Sequence, residues 1–211
     1  YDISACLVGS EMCIRDRAQS AIRCWTQDRW AEMNGFQKFW GHLSTITRHR
    51  HKVIAHCAKA GILWQGLRHD LSKYGLTEFR QGVRFFDGTH SPTEDERKTY
   101  GYSLAWMHHK GHNRHHWEYW TDYSIEKQCY VAMPMPRRFL AEMICDRVAA
   151  SKIYKGGEYA DVSPLEYLQH GKMHDHMHPE TYALLLRFLT QLRDEGEDAM
   201  FASLREWVRE K

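Results

Sequence analysis

The chain has 211 residues, of which 43% are hydrophobic and 27% are charged, and its formal net charge at pH 7 is +2. A charge balance so close to neutrality argues against a dedicated nucleic-acid-binding protein. No uninterrupted apolar run approaches the roughly 20 residues that a membrane-spanning helix needs. The sequence therefore predicts a soluble protein.

The N-terminal segment differs in origin from the rest of the chain. Residues 1–17, YDISACLVGSEMCIRDR, resemble translated sequencing-adapter read-through, and we exclude them from fold reasoning. We expect residues 18–32 to be translated upstream sequence and the native chain to start at Met33. Residues 33–211 show no Gly/Ser-rich or Pro-rich linker and are enough for a single domain with its own core.

The cysteines carry little information about the fold. Outside the first 17 residues they are widely spaced, at Cys24, Cys57, Cys129 and Cys145. This spacing matches neither a disulfide framework nor the close pairs of a zinc ribbon. We therefore expect a reducing, cytoplasmic location.

Helix-start signals recur along the chain. The segment Ser91-Pro92-Thr93-Glu94 has a capping serine, a proline at the first helical position and a glutamate three residues after the cap, and Ser163-Pro164-Leu165-Glu166 repeats this arrangement. No segment alternates convincingly with the period of a strand, so we predict an all-α, single-domain helical bundle. The predicted helices cover 36–60, 62–72, 77–87, 92–110, 136–155, 164–171, 179–194 and 197–210.

Histidine is the residue type that points to chemistry. All fifteen histidines lie between His42 and His178, mostly in four groups at 49–56, 69–70, 108–118 and 174–178. Neutral imidazole is a strong ligand for divalent transition metals, and carboxylates compensate the charge of the cation. We expect the group at 174–178 to lie in an exposed loop and leave it out of the site.

The order of the remaining groups predicts a metal centre between helices, as helical bundles build them. A histidine on the first long helix is followed by His69-Asp70, by further histidines, and by an aspartate on a late helix. On a helix, His69 and Asp70 point about 100° apart, so together they can serve two metals or wrap around one.

These residues resemble a known framework. His49-x-x-x-Val53, the run from His69 to Lys73, and Asp146 resemble the His…His-Asp…Asp pattern of the HD-domain superfamily of metal-dependent hydrolases. A longer set of motifs is similar to one uncharacterised bacterial family of unknown function, whose members are sometimes labelled catalase. These motifs are GLRHDLSKYGLTEF (Gly66 to Phe79), GYSLAWMHHKGHNRHHWEYW (Gly101 to Trp120), Met135-Pro136 and EMICD (Glu142 to Asp146).

The superfamily resemblance implies an HD-domain-like fold and a set of metal ligands. The ligands of the first metal would be His49, His69, Asp70 and Asp146. The second metal would take His108 or His109 together with His115 or His116, with Asp70 bridging the two metals. Because the spacing from His49 to His69 is shorter than in many HD domains, His42 stays an alternative to His49, and His56 is a weaker one.

Other motif residues are expected to support the ligands or the substrate. Glu118 and Glu142 could orient the second ring nitrogen of a histidine, and Asn113 could assist them. A second set of side chains could meet an anionic substrate, although each could equally belong to a solvated charged face. This basic set consists of Lys73, Arg80, Lys110 and Arg114.

Three functions fit this sequence. The leading hypothesis is a phosphohydrolase that uses one or two divalent cations (Fe, Mn, Co, Ni or Zn), with Asp70 and Lys73 as catalytic residues and a nucleotide or phosphomonoester as substrate. The alternatives are a non-haem di-iron oxygenase and a non-catalytic metal-binding module. We do not adopt the catalase label, because no haem-attachment Cys-x-x-Cys-His motif is present and no residue stands out as an axial ligand. The oligomeric state is left open.

Overall fold

Helices dominate the structure, a computed structural model that describes residues 33–210, apart from the side chain at position 172. The expectations about residues 1–32 concern positions outside this range. Within it, nine α-helices follow one another: α1 (Gly35–Lys59), α2 (Leu63–Arg68), α3 (Leu76–Arg84), α4 (Pro92–Tyr100), α5 (Leu104–His112), α6 (Arg137–Lys155), α7 (Ser163–His170), α8 (Pro179–Glu195) and α9 (Glu197–Arg209). Short 3-10 helices cover Leu71–Tyr74, Trp117–Tyr119, Gly156–Glu158 and Lys172–Asp175. None of these helices combines the length and apolar composition needed to span a bilayer.

The prediction of a mostly helical protein is confirmed, with one addition. Two strands, β1 (Thr121–Ser124) and β2 (Cys129–Ala132), form an antiparallel hairpin between α5 and α6. Tyr123 is paired with Tyr130 across the hairpin, and their rings lie edge to face with centroids 5.7 Å apart. Each strand has only four residues, which is too short for an alternating pattern to stand out in the sequence.

The core forms where α1 and α6 pack together beneath α8 and α9. Val53 and Cys57 of α1 are fully buried, as are Leu140, Ile144 and Val148 of α6. These apolar side chains belong to one continuous cluster that extends to α7, α8 and α9. The α1–α6 pair therefore provides a fixed base on which polar side chains of both helices can be positioned.

The predicted helix over 62–72 is wrong in its second half, and the difference matters for the site. Helix α2 ends at Arg68, and Asp70 takes a left-handed backbone conformation with φ 53° before the 3-10 turn begins. Arg50 of α1 stabilises this break, because its guanidinium donates to the main-chain carbonyls of Leu67 and His69, the latter at 3.2 Å. Aspartate is among the few residues that tolerate this conformation, which redirects the chain at His69-Asp70.

The predicted helix over 92–110 is also interrupted. It ends at Tyr100, where Gly101 adopts φ 79°, and it resumes as α5 after Ser103. The Ser103 hydroxyl accepts from the Trp106 amide at 2.9 Å, and the buried Glu96 accepts from the Leu104 amide at 3.2 Å. The break turns α5 so that His109 faces Asp70, which follows the end of α2.

Candidate metal centre

Buried histidines and carboxylates from four parts of the chain converge at the redirected segment after α2. Helix α1 contributes one histidine, the break after α2 contributes the His-Asp pair, α5 and the loop after it contribute three histidines, and α6 contributes an aspartate. The converging residues are His49, His69, Asp70, His109, His115, His116 and Asp146, and they form two overlapping groups able to hold a metal ion.

The first group contains His49, His69, Asp70 and Asp146, whose ligand atoms all lie within 4.8 Å of one another. Nε2 of His49 lies 2.9 Å from Oδ1 of Asp146. Nε2 of His69 lies 3.2 Å from Oδ2 of Asp70 and 3.6 Å from Oδ1 of Asp146. Two imidazoles and two carboxylates thus face a common point.

The second group contains Asp70, His109, His115 and His116. Oδ1 of Asp70 lies 3.3 Å from Nε2 of His109 and 3.5 Å from Nε2 of His115. Oδ2 of the same carboxylate faces the first group, at His69. Asp70 therefore stands between the two groups and offers one oxygen to each.

The atoms that face these two points lack hydrogen-bond partners. Nε2 of His49, His69, His115 and His116 and Oδ1 of Asp70 are all buried without one. Because an unpaired buried polar atom costs roughly 1–3 kcal/mol, native structures contain few of them. Buried nitrogen and oxygen atoms that converge in this way could hold a metal ion.

Glutamates contact the Nδ1 atoms of three histidines at the centre. Nδ1 of His69 donates to Glu142 at 2.8 Å, and Nδ1 of His109 donates to Glu78 at 2.7 Å. Nδ1 of His115 lies 3.2 Å from the same Glu142 oxygen. A carboxylate that accepts from Nδ1 leaves Nε2 as the ring nitrogen that faces the centre, which is the arrangement found behind metal-bound histidines.

The charges at the centre favour a cation. Burial alone would raise the pKa of Asp70, but His69, Lys73 and His109 hold it well below its usual value. Burial alone would also raise the pKa of Asp146, but His49 and His69 hold it well below its usual value. Both carboxylates are therefore ionised at neutral pH. Burial alone would lower the pKa of His69. The nearby carboxylates, chiefly Asp70, instead raise it well above its usual value.

The ambiguous histidine doublets are resolved only in part. His109 faces Asp70, whereas Nδ1 of His108 lies 2.7 Å from Glu78 and its ring stacks on His112. Adjacent helical residues point about 100° apart, so only one of the pair can face the centre. His115 and His116 both reach it, since they lie in a loop.

The two alternatives to His49 lie elsewhere. His42 lines a cavity beside the centre, about two helix turns before His49. His56 lies further along α1 and contacts Cys145 and Glu197. Neither belongs to a group able to hold a metal within residues 33–210.

The residues expected to support the ligands divide into two kinds. Glu142 contacts two of the histidines, and the amide of Asn113 donates to the His109 carbonyl at 2.8 Å. Glu118 was expected to orient a histidine, but it forms no ion pair with any histidine that the structure describes, and its Oε2 is buried without a partner. Glu118 follows the histidine loop directly and lies in a 3-10 turn.

Of the four basic residues expected near the substrate, only Lys73 lines the cavity beside the centre. Its Nζ lies 2.7 Å from Oδ2 of Asp70. Arg80 and Arg114 are exposed, and Arg114 lies over the ring of Tyr119, 5.6 Å from its centroid. Lys110 lies outside the cavity lining as well, so the prediction that these three meet the substrate has no support in the geometry.

Sequence reasoning missed Glu78 and Gln65. Glu78 is buried on α3 and bonds His109, which lies 31 positions later in the chain. Gln65 donates to the carboxylate of Glu142 and fixes its orientation. Glu78 lies within the motif that runs from Gly66 to Phe79. Its contact with His109 could not be inferred from the sequence, because that contact depends on the chain break at Gly101.

His69, His115 and Glu142 form a further group at the centre, whereas the group of Asp87, His90 and Asp95 differs from those at the centre. Nδ1 of His90 lies 2.8 Å from Asp87, and its Nε2 lies 2.8 Å from Asp95. All three side chains are partly exposed, at 29–32%. Ion pairs of this kind are common on surfaces and require no metal.

Fold and site together define a mostly helical protein that buries histidine–carboxylate groups able to hold a metal ion. The chain belongs to DUF5662, a family of unknown function whose sequence profile matches residues 38–191. The resemblance to a family of unknown function is thereby confirmed. Searches of the curated proteins and of the solved structures gave no match.

Proposed function

We propose that this protein is a metal-dependent phosphohydrolase that binds two divalent transition-metal ions. One ion would be held by His49, His69, Asp70 and Asp146, and the other by Asp70 with histidines of the second group. The observation that carries the proposal is the position of Asp70, whose Oδ2 lies 3.2 Å from Nε2 of His69 while its Oδ1 lies 3.3 Å from Nε2 of His109. A carboxylate shared in this way is suited to bridge two cations.

The donor atoms limit the choice of metal. Imidazole nitrogens and carboxylate oxygens suit iron, manganese, cobalt, nickel or zinc better than calcium. When bound, such ions lower the pKa of water and neutralise charge on phosphoryl oxygens. The order His…His-Asp…Asp of the first group also supports an HD-domain-like fold, which we include in the proposal.

Lys73 supplies a positively charged side chain beside the proposed metal ligands. Burial alone would lower the pKa of Lys73, but Asp70 and Asp146 raise it, so the side chain is charged at neutral pH. Its ammonium is a mobile point charge at the boundary between Asp70 and the cavity. It can turn from Asp70 to a phosphoryl oxygen of the substrate and neutralise the charge that develops there.

The reaction proposed is hydrolysis of a phosphate monoester. The ester P–O bond breaks, the oxygen of water forms the new bond to phosphorus, and a proton from water passes to the leaving alcohol. The chain contributes Lys73 beside the phosphoryl group and the cavity wall around the leaving alcohol.

A second candidate is a di-iron oxygenase on the same ligands. The observation in its favour is the apolar character of part of the cavity wall, where Ile46, Phe86 and Ala105 are each at most 7% exposed. A wall of this kind restricts water at the centre, as oxygen chemistry requires. Tightly bound iron with oxygen-dependent optical changes, and no release of phosphate, would favour this candidate.

The test is a phosphate-release screen with protein loaded with each of the five metals in turn. The protein with the Lys73→Met substitution should keep its metal content and fold but lose at least ten-fold in kcat, which corresponds to about 1.4 kcal/mol of transition-state stabilisation. The matched control is Lys155→Met, since Lys155 forms a surface ion pair with Glu166. Phosphate release that is equally fast in the two variants would remove Lys73 from the mechanism, and a screen in which no ester is hydrolysed would refute the hydrolase.

A further inference from the structure

A cavity of about 110 Å³ lies beside the candidate metal centre. Helices α1, α3, α4 and α5 supply most of its wall, and the cavity reaches the centre at Lys73 and His109. Apolar side chains, among them Phe86 and Trp106, alternate in the wall with polar ones. The cavity therefore adjoins the place where a phosphoryl group would meet Lys73.

His42 is a polar residue of this wall that has no hydrogen-bond or ion-pair partner among residues 33–210. It is only 7% exposed, and its ring packs against the rings of Phe79 and Phe86 and against Gly82. Burial and the nearby Lys73 lower the pKa of His42 to about 4. The neutral ring can both donate and accept one hydrogen bond, and buried polar groups seldom stay unpaired without a reason.

Two glycines leave room for the rings of His42 and Phe86. A Cβ atom at Gly82 would lie 2.1 Å from Nε2 of His42, and one at Gly41 would lie 2.4 Å from Cε1 of Phe86. Any side chain at position 82 would push the imidazole from its place. The positions of both rings in the cavity wall therefore depend on the absence of a side chain opposite each of them.

The volume of the cavity limits what it can hold. Pockets for drug-sized ligands span roughly 300–1,000 Å³, and an engineered cavity of about 150 Å³ is known to hold benzene. A cavity of about 110 Å³ accordingly holds a group of at most about six non-hydrogen atoms. An alcohol of three or four carbons fits within it, whereas a nucleoside would have to extend out of it.

We propose that this cavity binds the leaving alcohol of a small phosphomonoester, and that His42 is the specificity residue that hydrogen-bonds a second hydroxyl of that alcohol. The inference rests on the proposed hydrolase and narrows its substrates to compact hydroxylated phosphomonoesters, to the exclusion of nucleotides. The apolar part of the wall contacts the carbon chain, Lys73 contacts the phosphoryl group, and His42 contacts the free hydroxyl.

Non-hydrolysable phosphonates test the inference by calorimetric binding. The probes are 2,3-dihydroxypropylphosphonate, propylphosphonate and the phosphonate analogue of adenosine monophosphate, each titrated into manganese-loaded and metal-free protein. We expect the dihydroxy compound to bind about ten-fold more tightly than the propyl compound, because one of its two hydroxyls would form a hydrogen bond with His42. The nucleotide analogue should show no measurable binding. Because His42 is not among the proposed metal ligands, the ten-fold ratio should hold in both forms of the protein.

Two variants separate recognition from packing. His42→Phe keeps a ring between Phe79 and Phe86 but should abolish the ten-fold ratio, leaving the affinity for propylphosphonate unchanged. Gly82→Ala should weaken the binding of both three-carbon compounds, because the displaced imidazole of His42 enters the cavity. Gly157→Ala is the control, since a Cβ there meets nothing within 4 Å, and it should bind as the unaltered protein does.

The inference about His42 and the proposed hydrolase function can fail independently of each other. Tight binding of the nucleotide analogue, an unchanged ratio in His42→Phe, or no phosphonate binding at all would overturn the inference, even if phosphate release is observed. Conversely, absence of phosphate release from every ester, with the ten-fold ratio intact, would refute the hydrolase and leave His42 as the recognition residue of a binding site.

Discussion

Helices α1 and α6 hold two buried polar clusters, and these differ in how their hydrogen bonds are satisfied. One cluster is the candidate metal centre around Asp70. The other surrounds His56, seven residues beyond His49 on α1, where Nδ1 donates to the Cys145 carbonyl at 3.2 Å and Nε2 lies 3.4 Å from Nζ of Lys152. The His56 ring stacks on Phe201 with centroids 5.1 Å apart.

The comparison shows that burial of a histidine does not by itself indicate a ligand site. Both clusters use imidazoles from the same helix face, but His56 has a hydrogen-bond partner for each nitrogen, whereas the buried Nε2 of His49 contacts Asp146 of the candidate centre at 2.9 Å and makes no hydrogen bond outside that centre. A complete buried network stabilises the fold and orders it. An incomplete one, with its free lone pairs converging on a point, is what a metal site requires.

The largest expected effect is the response of the metal centre to metal. A divalent transition metal at about 1,000 times its Kd should stabilise the folded protein by about 4 kcal/mol, and Tm should rise by several degrees in a calorimetric scan. Asp95→Asn, in the exposed group with His90, should show the same rise. An equal rise in Asp70→Asn would place the metal elsewhere and contradict the assignment.

The next effect concerns the satisfied cluster and acid. Burial lowers the pKa of His56 from 6.5 to about 4, so between these pH values the unfolded state binds a proton that the folded state does not. Stability is therefore complete above pH 6.5 and is lost as the pH falls towards 4, by about 3 kcal/mol for this group.

Urea unfolding at a series of pH values measures this loss. In His56→Phe, which keeps the stacking on Phe201, the free energy of unfolding should vary less steeply with pH across this window. Identical slopes in the two proteins would show that His56 does not titrate as described.

A smaller effect on metal affinity is expected from Glu142, which contacts the proposed ligands His69 and His115. Glu142 accepts from Nδ1 of His69 at 2.8 Å, and the pKa of Glu142 is lowered to about 2 by His115 and His69 against the effect of burial. Glu142→Gln removes the charge that orients both rings, and metal affinity should fall by ten-fold or more in a competition titration with a chelator. Glu166→Gln, at a surface ion pair with Lys155, should leave the affinity unchanged; a loss of equal size there would point to a general effect of charge.

The sequence predicted which residues meet better than it predicted how the chain brings them together. The order His49, His69, Asp70, Asp146 is preserved in the first group, because an amphipathic pattern places His49 and Asp146 on the inner edges of two long helices. That these residues bind metal stays a prediction. The choice between His108 and His109 could not be made, since it depends on the rotation of a helix about its axis.

The chain breaks escaped prediction for a physical reason. The segment from Leu63 to Tyr74 contains no proline, and its one glycine, Gly66, lies a full helix turn before Asp70, so its pattern reads as one helix although Asp70 has φ 53°. The left-handed turn is stabilised by Arg50 from another helix, a tertiary contact that local propensity does not contain. Residues in sparsely populated backbone regions of this kind tend to cluster at functional sites.

The most direct test of the central claim is the metal content of the purified protein. Elemental analysis after incubation with iron, manganese, cobalt, nickel and zinc salts and removal of excess metal should give one or two transition-metal ions per chain. The His69→Ala/Asp70→Ala double variant, verified as folded by circular dichroism, should retain none. Metal-free wild-type protein, or a double variant with the full complement of metal, would contradict the assignment of this site.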